Sequence, residues 1–328
     1  MTREHLERHQ VWFYLVALVL GLVVGRAVPT LGQLAEASVW PVLGLLLYAT
    51  FTQLPLASVP SALRDTRFLV TALVGNFVLV PLLVWGLVQL APADPVVRLG
   101  LLLVLLVPCT DWFITFTQLG GGDAARATAL TPVSLLLQLV LLPVYLWLLG
   151  GTVVTGVFTP GQVWPALLVL LLPLGLAATT RRWARERPPR RQLVERLGAA
   201  PVPLLAVVIL LVGVSHADEV TGAGALLPVV VAVAGLYLVG ATALALLLAR
   251  TAGLPVDQGR TLVFSLGTRN SFIVLPFALT LPTGWEAAAL VVVLQSVVEL
   301  LGMIVLVRLV PGVLIRDLSP RRTAPAGS

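Results

Sequence analysis

The 328-residue chain contains no lysine, and all 21 of its basic residues are arginine. That excludes Schiff-base chemistry. A single cysteine, Cys109, excludes an intrachain disulfide and any multi-cysteine metal centre. The three histidines, His5, His9 and His216, fall near the N-terminus or between apolar runs without metal-ligand spacing and are expected to be solvated. Charge of either sign is scarce, at 11% of residues against about 25% in soluble domains. So few charges cannot cover a water-facing surface. No GxxxxGK[ST] string is present, so energy for any work must come from a gradient or a separate partner.

What is abundant is apolar. Hydrophobic residues make up 58% of the chain and the mean hydropathy is +1.00. Ten runs approach the length of about 20 residues needed to cross a bilayer as a helix. They are Val11–Val28, Val39–Leu56, Phe68–Leu90, Val96–Leu119, Ala127–Leu149, Val163–Thr180, Ala199–His216, Gly224–Leu248, Thr261–Leu281 and Ala287–Val310. None alternates as a barrel strand would. The fold class is therefore an all-α membrane protein with ten transmembrane helices. The first run follows a polar head but no small-x-small cleavage site, so it reads as a span rather than a signal peptide.

Arginine sets the expected orientation. With both termini in the cytoplasm, 18 of the 21 arginines fall on the inner side, only Arg26 and Arg98 on the outer side, and Arg269 inside the ninth run. The pI near 10.6 does not point to nucleic acid, because the arginines are dispersed between apolar runs. The richest stretch, Arg181–Arg196, holds seven arginines and two glutamates. It reads as a cytoplasmic topology determinant or as an anionic-lipid or regulatory site.

Ten runs divide into two halves of five, and an odd number per half makes the second half enter the membrane from the opposite side, the arithmetic of a 5+5 inverted repeat. The expected divisions are a first repeat over 1–150, a link over 151–196 that includes the start of the sixth helix and an Arg-rich cytoplasmic loop, a second repeat over 163–310, and a cytoplasmic tail over 311–328. The fourth run of each half is interrupted. In one, Pro108 removes a backbone hydrogen bond and is followed by Cys109, Thr110 and Asp111. In the other, Gly267 precedes Thr268, Arg269, Asn270 and Ser271. Pro108–Ile114 and Gly267–Ile273 can be laid together with two identities in seven. Broken helices at bilayer depth must line a cavity or be buried in protein, and paired breaks in two halves point to a transport site.

Three ionisable residues lie deep in the runs: Asp111, Arg269 and Glu299. Each alone costs about 2.5–3.5 kcal/mol at the bilayer centre on insertion scales. Asp111 and Arg269 are expected to pair where the two broken helices cross. Glu299, with Gln295 one turn earlier on the same face, is a proton-carrier candidate, and Asp111 shares the coupling role. The alternative for all three is a static polar lock. Gly120-Gly121-Gly122-Asp123 matches the GxGD string of intramembrane aspartyl proteases, but no partner aspartate in a Tyr-Asp setting exists. No enzyme, cofactor or metal site is expected.

Ten spans, Pro108-Cys109-Thr110 followed by Gly121-Gly122-Asp123, and Gly267-x-x-Asn270-Ser271 together resemble the bile acid/sodium symporter superfamily. Within it they resemble the arsenite efflux permeases. The resemblance implies a panel domain and a core domain, with the two discontinuous helices crossing in the core. It also implies that Cys109 is functional, and a soft thiolate suits a thiophilic centre. Sodium-coupled members carry Glu-x-Gly-x-Gln-Asn where this chain has Ser265-Leu266-Gly267-Thr268-Arg269-Asn270. A fixed guanidinium in that place implies independence from sodium. Arsenite permeases also have a glutamate shortly after Asn-x-Phe. This chain has Ile273 after Phe272, which leaves Glu299 to take over coupling.

The leading expectation is a proton-coupled exporter of arsenite or related oxyacids in the cytoplasmic membrane. Cys109, Thr110, Asn270, Ser271 and Arg269 would bind substrate. The alternative is a sodium-independent carrier of a small organic anion, with Arg269 meeting the substrate's charge. A non-transporting receptor or scaffold would instead tolerate loss of Arg269 and Glu299. The expected partners are a small inorganic or organic substrate, protons and the lipid bilayer, with no nucleic acid; a homodimer stays open.

Overall fold

A computed structural model describes residues 3–53, 65–151, 160–185, 187–215, 217 and 226–317. Among these residues helix is the regular secondary structure, with no strand. Two helices open it, α1 (Arg3–Ala27) and α2 (Gly32–Thr52). Next come α3 (Thr66–Val74), a π-helical turn at Gly75–Leu79 and α4 (Val80–Leu90), which run on from one another. The fourth expected run is split into α5 (Pro95–Leu106) and α6 (Trp112–Leu119), ahead of α7 (Ala124–Leu149). The remainder is α8 (Pro160–Arg185), α9 (Pro188–Leu197), α10 (Pro201–Ser215), α11 (Leu226–Thr251), α12 (Val256–Gly267), α13 (Ser271–Leu279) and α14 (Ala287–Leu309).

Seven helical stretches among the described residues are long and apolar enough to cross a membrane: Pro29–Thr52, Thr66–Leu90, Ala124–Leu149, Leu167–Ala184, Pro188–Ser215, Leu227–Thr251 and Ala287–Leu314. Their outward faces carry bare Val140, Val239 and Leu82. Such a surface suits hydrocarbon and would be a liability in water. The helices start where short polar side chains cap them. Asp65 accepts from Phe68 N at 3.2 Å, Asp94 from Val96 N at 2.8 Å ahead of Pro95, and Asp123 from Arg126 N at 2.9 Å. Each satisfies a donor that has no partner within the helix.

The helices pack in two groups. In one, α10 lies against both α1 and α2, and α8 lies against α2. Gly21 and Gly25 make the α1–α10 approach possible. A β-carbon on Gly25 would sit 2.5 Å from the Val214 carbonyl oxygen, and one on Gly21 would run into the Leu210 carbonyl. The other group gathers α3 to α7 and α11 to α14, with α14 packed on α5, α11 and α13. α13 reaches α8 and α2, and α14 reaches α1, across the boundary between the groups.

One expectation is corrected here. The Arg-rich stretch is not a loop: α8 continues through Arg185, and α9 takes up 188–197. Arginine is a good helix former, and Pro188 at the first helical position starts the short helix without costing a bond. Residues 54–56 of the second expected span, Arg64, residues 152–159 of the link, Glu186, His216, 224–225 of the eighth span and tail residues 318–328 with Arg321 and Arg322 lie outside the described residues.

Candidate functional site

α5 stops at Leu106 and α6 begins at Trp112, leaving 107–111 unwound. α12 stops at Gly267 and α13 begins at Ser271. Val107 (φ −105°, ψ 111°) and Thr268 (φ −101°, ψ 141°) are extended. The two unwound pieces lie antiparallel, with Pro108 opposite Arg269. Cys109 N donates to Thr268 O at 3.1 Å, and Asn270 N donates to Val107 O at 2.8 Å. Backbone groups stripped of helical partners thus find each other across the crossing, as an apolar surrounding demands. Pro108, which has no N–H to lose, opens the first break.

Side chains extend the join. Asn270 Nδ2 donates to Thr110 Oγ1 at 3.0 Å, while its Oδ1 caps α13 by accepting from Ile273 N at 3.3 Å. Arg269 N donates to Glu299 Oε2 at 2.9 Å, and Gln295 Nε2 donates to the same oxygen at 2.9 Å. Cys109, Thr110, Arg269, Asn270, Ser271, Gln295 and Glu299 are all buried. Glu299 Oε1 and Gln295 Oε1 have no hydrogen-bond partner among the described residues.

The Arg269 guanidinium turns away from the first break. Its Nη2 donates to Asn76 Oδ1 at 2.8 Å and to the carbonyls of Ser265 and Leu266 at 3.0 Å each. The group also lies 5.5 Å from the centre of the Tyr237 ring, and Tyr237 OH donates to Leu266 O at 2.6 Å. The expected Asp111–Arg269 ion pair is therefore replaced. Successive side chains of an extended segment point to opposite sides. Asn270 meets Thr110, so Arg269 goes to the other side, where the C-terminal carbonyls of α12 offer negative partial charge. Asp111 is half-buried just ahead of α6. Arg269 Nε and Nη1 have no hydrogen-bond partner among the described residues.

Aromatic rings cover the crossing where the two helix groups meet. Trp112 stacks on Tyr14 of α1 with centroids 5.9 Å apart, and meets Phe272 edge-on at 5.0 Å. At another end of the core, Asp65 Oδ2 accepts from Arg126 Nε at 2.6 Å and from Gln258 Nε2 at 3.1 Å. Arg126 also pairs with Asp123. Partial burial works to raise the Asp65 pKa, but the bond and charge of Arg126, with Phe68 N and Gln258, hold it below the ordinary 3.8. Gly121 adopts φ +65°, and Gly122 lies so close to Thr117 and Thr261 that a β-carbon would clash. The GxGD string therefore forms a tight turn that seats Asp123 as the cap of α7.

Asn76 and Tyr237 were not singled out from the sequence. Asn76 is the amide at the middle of the apolar stretch that became α3 and α4, the other being Gln89 at its end, and it sits in the π-helical turn, a distortion frequent at functional sites. It also donates to Ser265 Oγ at 2.9 Å. A tyrosine in an apolar run carries no comparable signal. Gln138 of α7 is buried too, with neither amide atom bonded among the described residues.

A sequence model of the sodium bile acid symporter family matches residues 40–222, more than half of the chain. The match includes the first break and ends before the second. No curated protein matches the chain.

Proposed function

From the premise that the chain belongs to the sodium bile acid symporter family, whose members are membrane transporters, we propose that it exports arsenite or a related metalloid oxyacid in exchange for protons. The protein is a multi-pass membrane protein; in this reading it sits in the cytoplasmic membrane with ten spans, both termini inside, and the two halves as inverted repeats. The observation that carries the reading is the meeting at one crossing of a thiol, a hydroxyl, an amide and a buried carboxylate with one unpartnered oxygen. The Cys109 thiol exchanges for one hydroxyl of As(OH)₃, forming an S–As bond and releasing water. One such bond is reversible, whereas several would trap the cargo. Thr110, Asn270 and Ser271 hydrogen-bond the remaining hydroxyls.

Glu299 carries the proton. Arg269 N and Gln295 fix its Oε2, so Oε1 is the atom left to be protonated. Asp111, at the start of α6, passes protons on. Sodium has no part, because Arg269 already places a cation among the oxygens of Asn76, Ser265 and Leu266.

A second reading has its own observation: Arg269 Nε and Nη1 are buried without hydrogen-bond partners among the described residues, and such donors suit an organic carboxylate or sulfonate. Arsenite accumulation in everted vesicles separates the two, measured with and without a proton gradient and with sodium replaced. The expected result is gradient-driven, sodium-independent uptake that Cys109→Ser abolishes. Uptake no greater than in empty vesicles overturns the metalloid reading and turns the search to organic anions.

A further inference from the structure

Two cavities lie side by side where α2, α8 and α9 meet. The first, of about 510 Å³, is lined by Thr52, Gln53, Arg181, Arg191 and Glu195. The second, of about 450 Å³, is lined chiefly by Tyr48, Trp183, Leu193 and Leu197. Val194 lines both. Gln53 Nε2 donates to Val194 O at 3.1 Å, tying α9 to the end of α2, and Tyr48 OH is 2.9 Å from Thr180 Oγ1. The site is thus built from three helices, with a polar chamber against an apolar one.

We propose that this pair of cavities binds one anionic phospholipid, its phosphate between Arg181 and Arg191 and an acyl chain along Trp183, Leu193 and Leu197. The lining of the first cavity is net positive, and the stretch around it carries seven arginines against two glutamates. Among the described residues that line it, Glu195 is the acidic one. It meets Arg191 only through Nε, at 3.4 Å, with both side chains mostly exposed. A pair that loose exchanges readily for a phosphate, which takes arginine in a two-pronged grip.

The second cavity decides what carries the phosphate. Trp183 is 45% exposed and Leu193 54% exposed, and Arg190 lies 4.5 Å over the Trp183 ring. A tryptophan beside arginines on a short helix marks a membrane–water interface. A free phosphate would fill the first chamber and leave the apolar one empty; a lipid uses both. A stretch serving only to set topology needs positive charge but neither a shaped cavity nor an apolar annex.

The test uses the full chain, stripped of lipid in a neutral detergent, with retained lipid counted by native mass spectrometry. One phosphatidylglycerol is expected to be held more tightly than phosphatidylcholine. Arg181→Gln with Arg191→Gln is expected to weaken it by about fivefold per arginine, roughly thirtyfold for the pair. Trp183→Ala should weaken it as well, and Arg26→Gln, at the far end of α1, should not. Equal retention of the two lipids by the wild type overturns the proposal. So does unchanged retention in the double variant, or full displacement of the lipid by inorganic phosphate. The lipid comparison and the phosphate competition need no variant, so a double variant that fails to fold leaves the proposal open to refutation.

Discussion

Where α1 lies on α10, contact is a matter of shape: glycines at 21 and 25 let two backbones close to a distance that a β-carbon there would forbid, and Gly213 faces Gly21 across the seam. Where α5–α6 meets α12–α13, contact is a matter of unmet hydrogen bonding. There Val107, Cys109, Thr268 and Asn270 bond through their backbones, and Arg269, Glu299, Asn76 and Gln295 bond behind them. Helices in lipid gain little from hydrophobic association, since lipid tails are as apolar as leucine. The first contact answers this with close packing and the second with polar bonds that hydrocarbon cannot replace. The bonded crossing holds its own parts in fixed register, as the proposed binding of a small molecule there would require.

The sharpest way to break the bonded contact is Arg269→Met. It strips Asn76 and two carbonyls of their donor and leaves Glu299 without a buried counter-charge. We expect a loss of about 3–5 kcal/mol, read as a lowered Tm in detergent, with partial recovery when Glu299→Gln is added. Recovery would show that the carboxylate, not the lost packing, carries the penalty. The packed contact has its counterpart in Gly21→Leu, expected to cost about 3 kcal/mol through overpacking. No polar second change should rescue it, and a rescue would mean the seam is not held by shape.

Asn270→Ala removes both the cap on α13 and the bond to Thr110. A cost of about 1–2 kcal/mol is expected, with transport falling further than stability does. If stability and transport fall together, Asn270 only holds the helix. The smallest effect belongs to Asp65→Asn at the edge of the core. The amide keeps the helix cap but loses the charge that meets Arg126, so under about 1 kcal/mol is at stake. Because the folded carboxyl titrates below its ordinary 3.8, its contribution is full above that value and fades as pH falls through the lowered one. The gap between wild type and variant should therefore be present at neutral pH and vanish on acidification.

The two interruptions were legible because a proline and a cluster of polar residues are costly inside an apolar run unless the helix breaks there. Pro108 and Gly267 do sit at the two breaks, which occupy 107–111 and 268–270. Cys109, Thr110, Arg269, Asn270, Gln295 and Glu299 share one buried neighbourhood. The partner of Arg269 was not legible. Formal charge suggested Asp111, whereas the guanidinium chose neutral oxygens: an amide 193 positions away and two carbonyls. Carbonyls freed by a helix ending leave no trace in residue identities, and Asn76 is one amide among many apolar neighbours. The helical form of 181–185 and 188–196 was hidden by charge, which reads as a loop although arginine favours a helix.

The antiparallel join between the breaks has a consequence for how the protein is made. Asn270 lies 160 positions after its partner Thr110. While the ribosome is still producing the second half, Cys109 N and Val107 O have no mate, and an unpaired amide in lipid is costly. The first half must therefore wait in the translocon's vicinity as an incomplete, poorly satisfied intermediate until 268–270 arrives. Biogenesis, rather than the finished fold, is then where a truncated or slowly translated second half would do its damage.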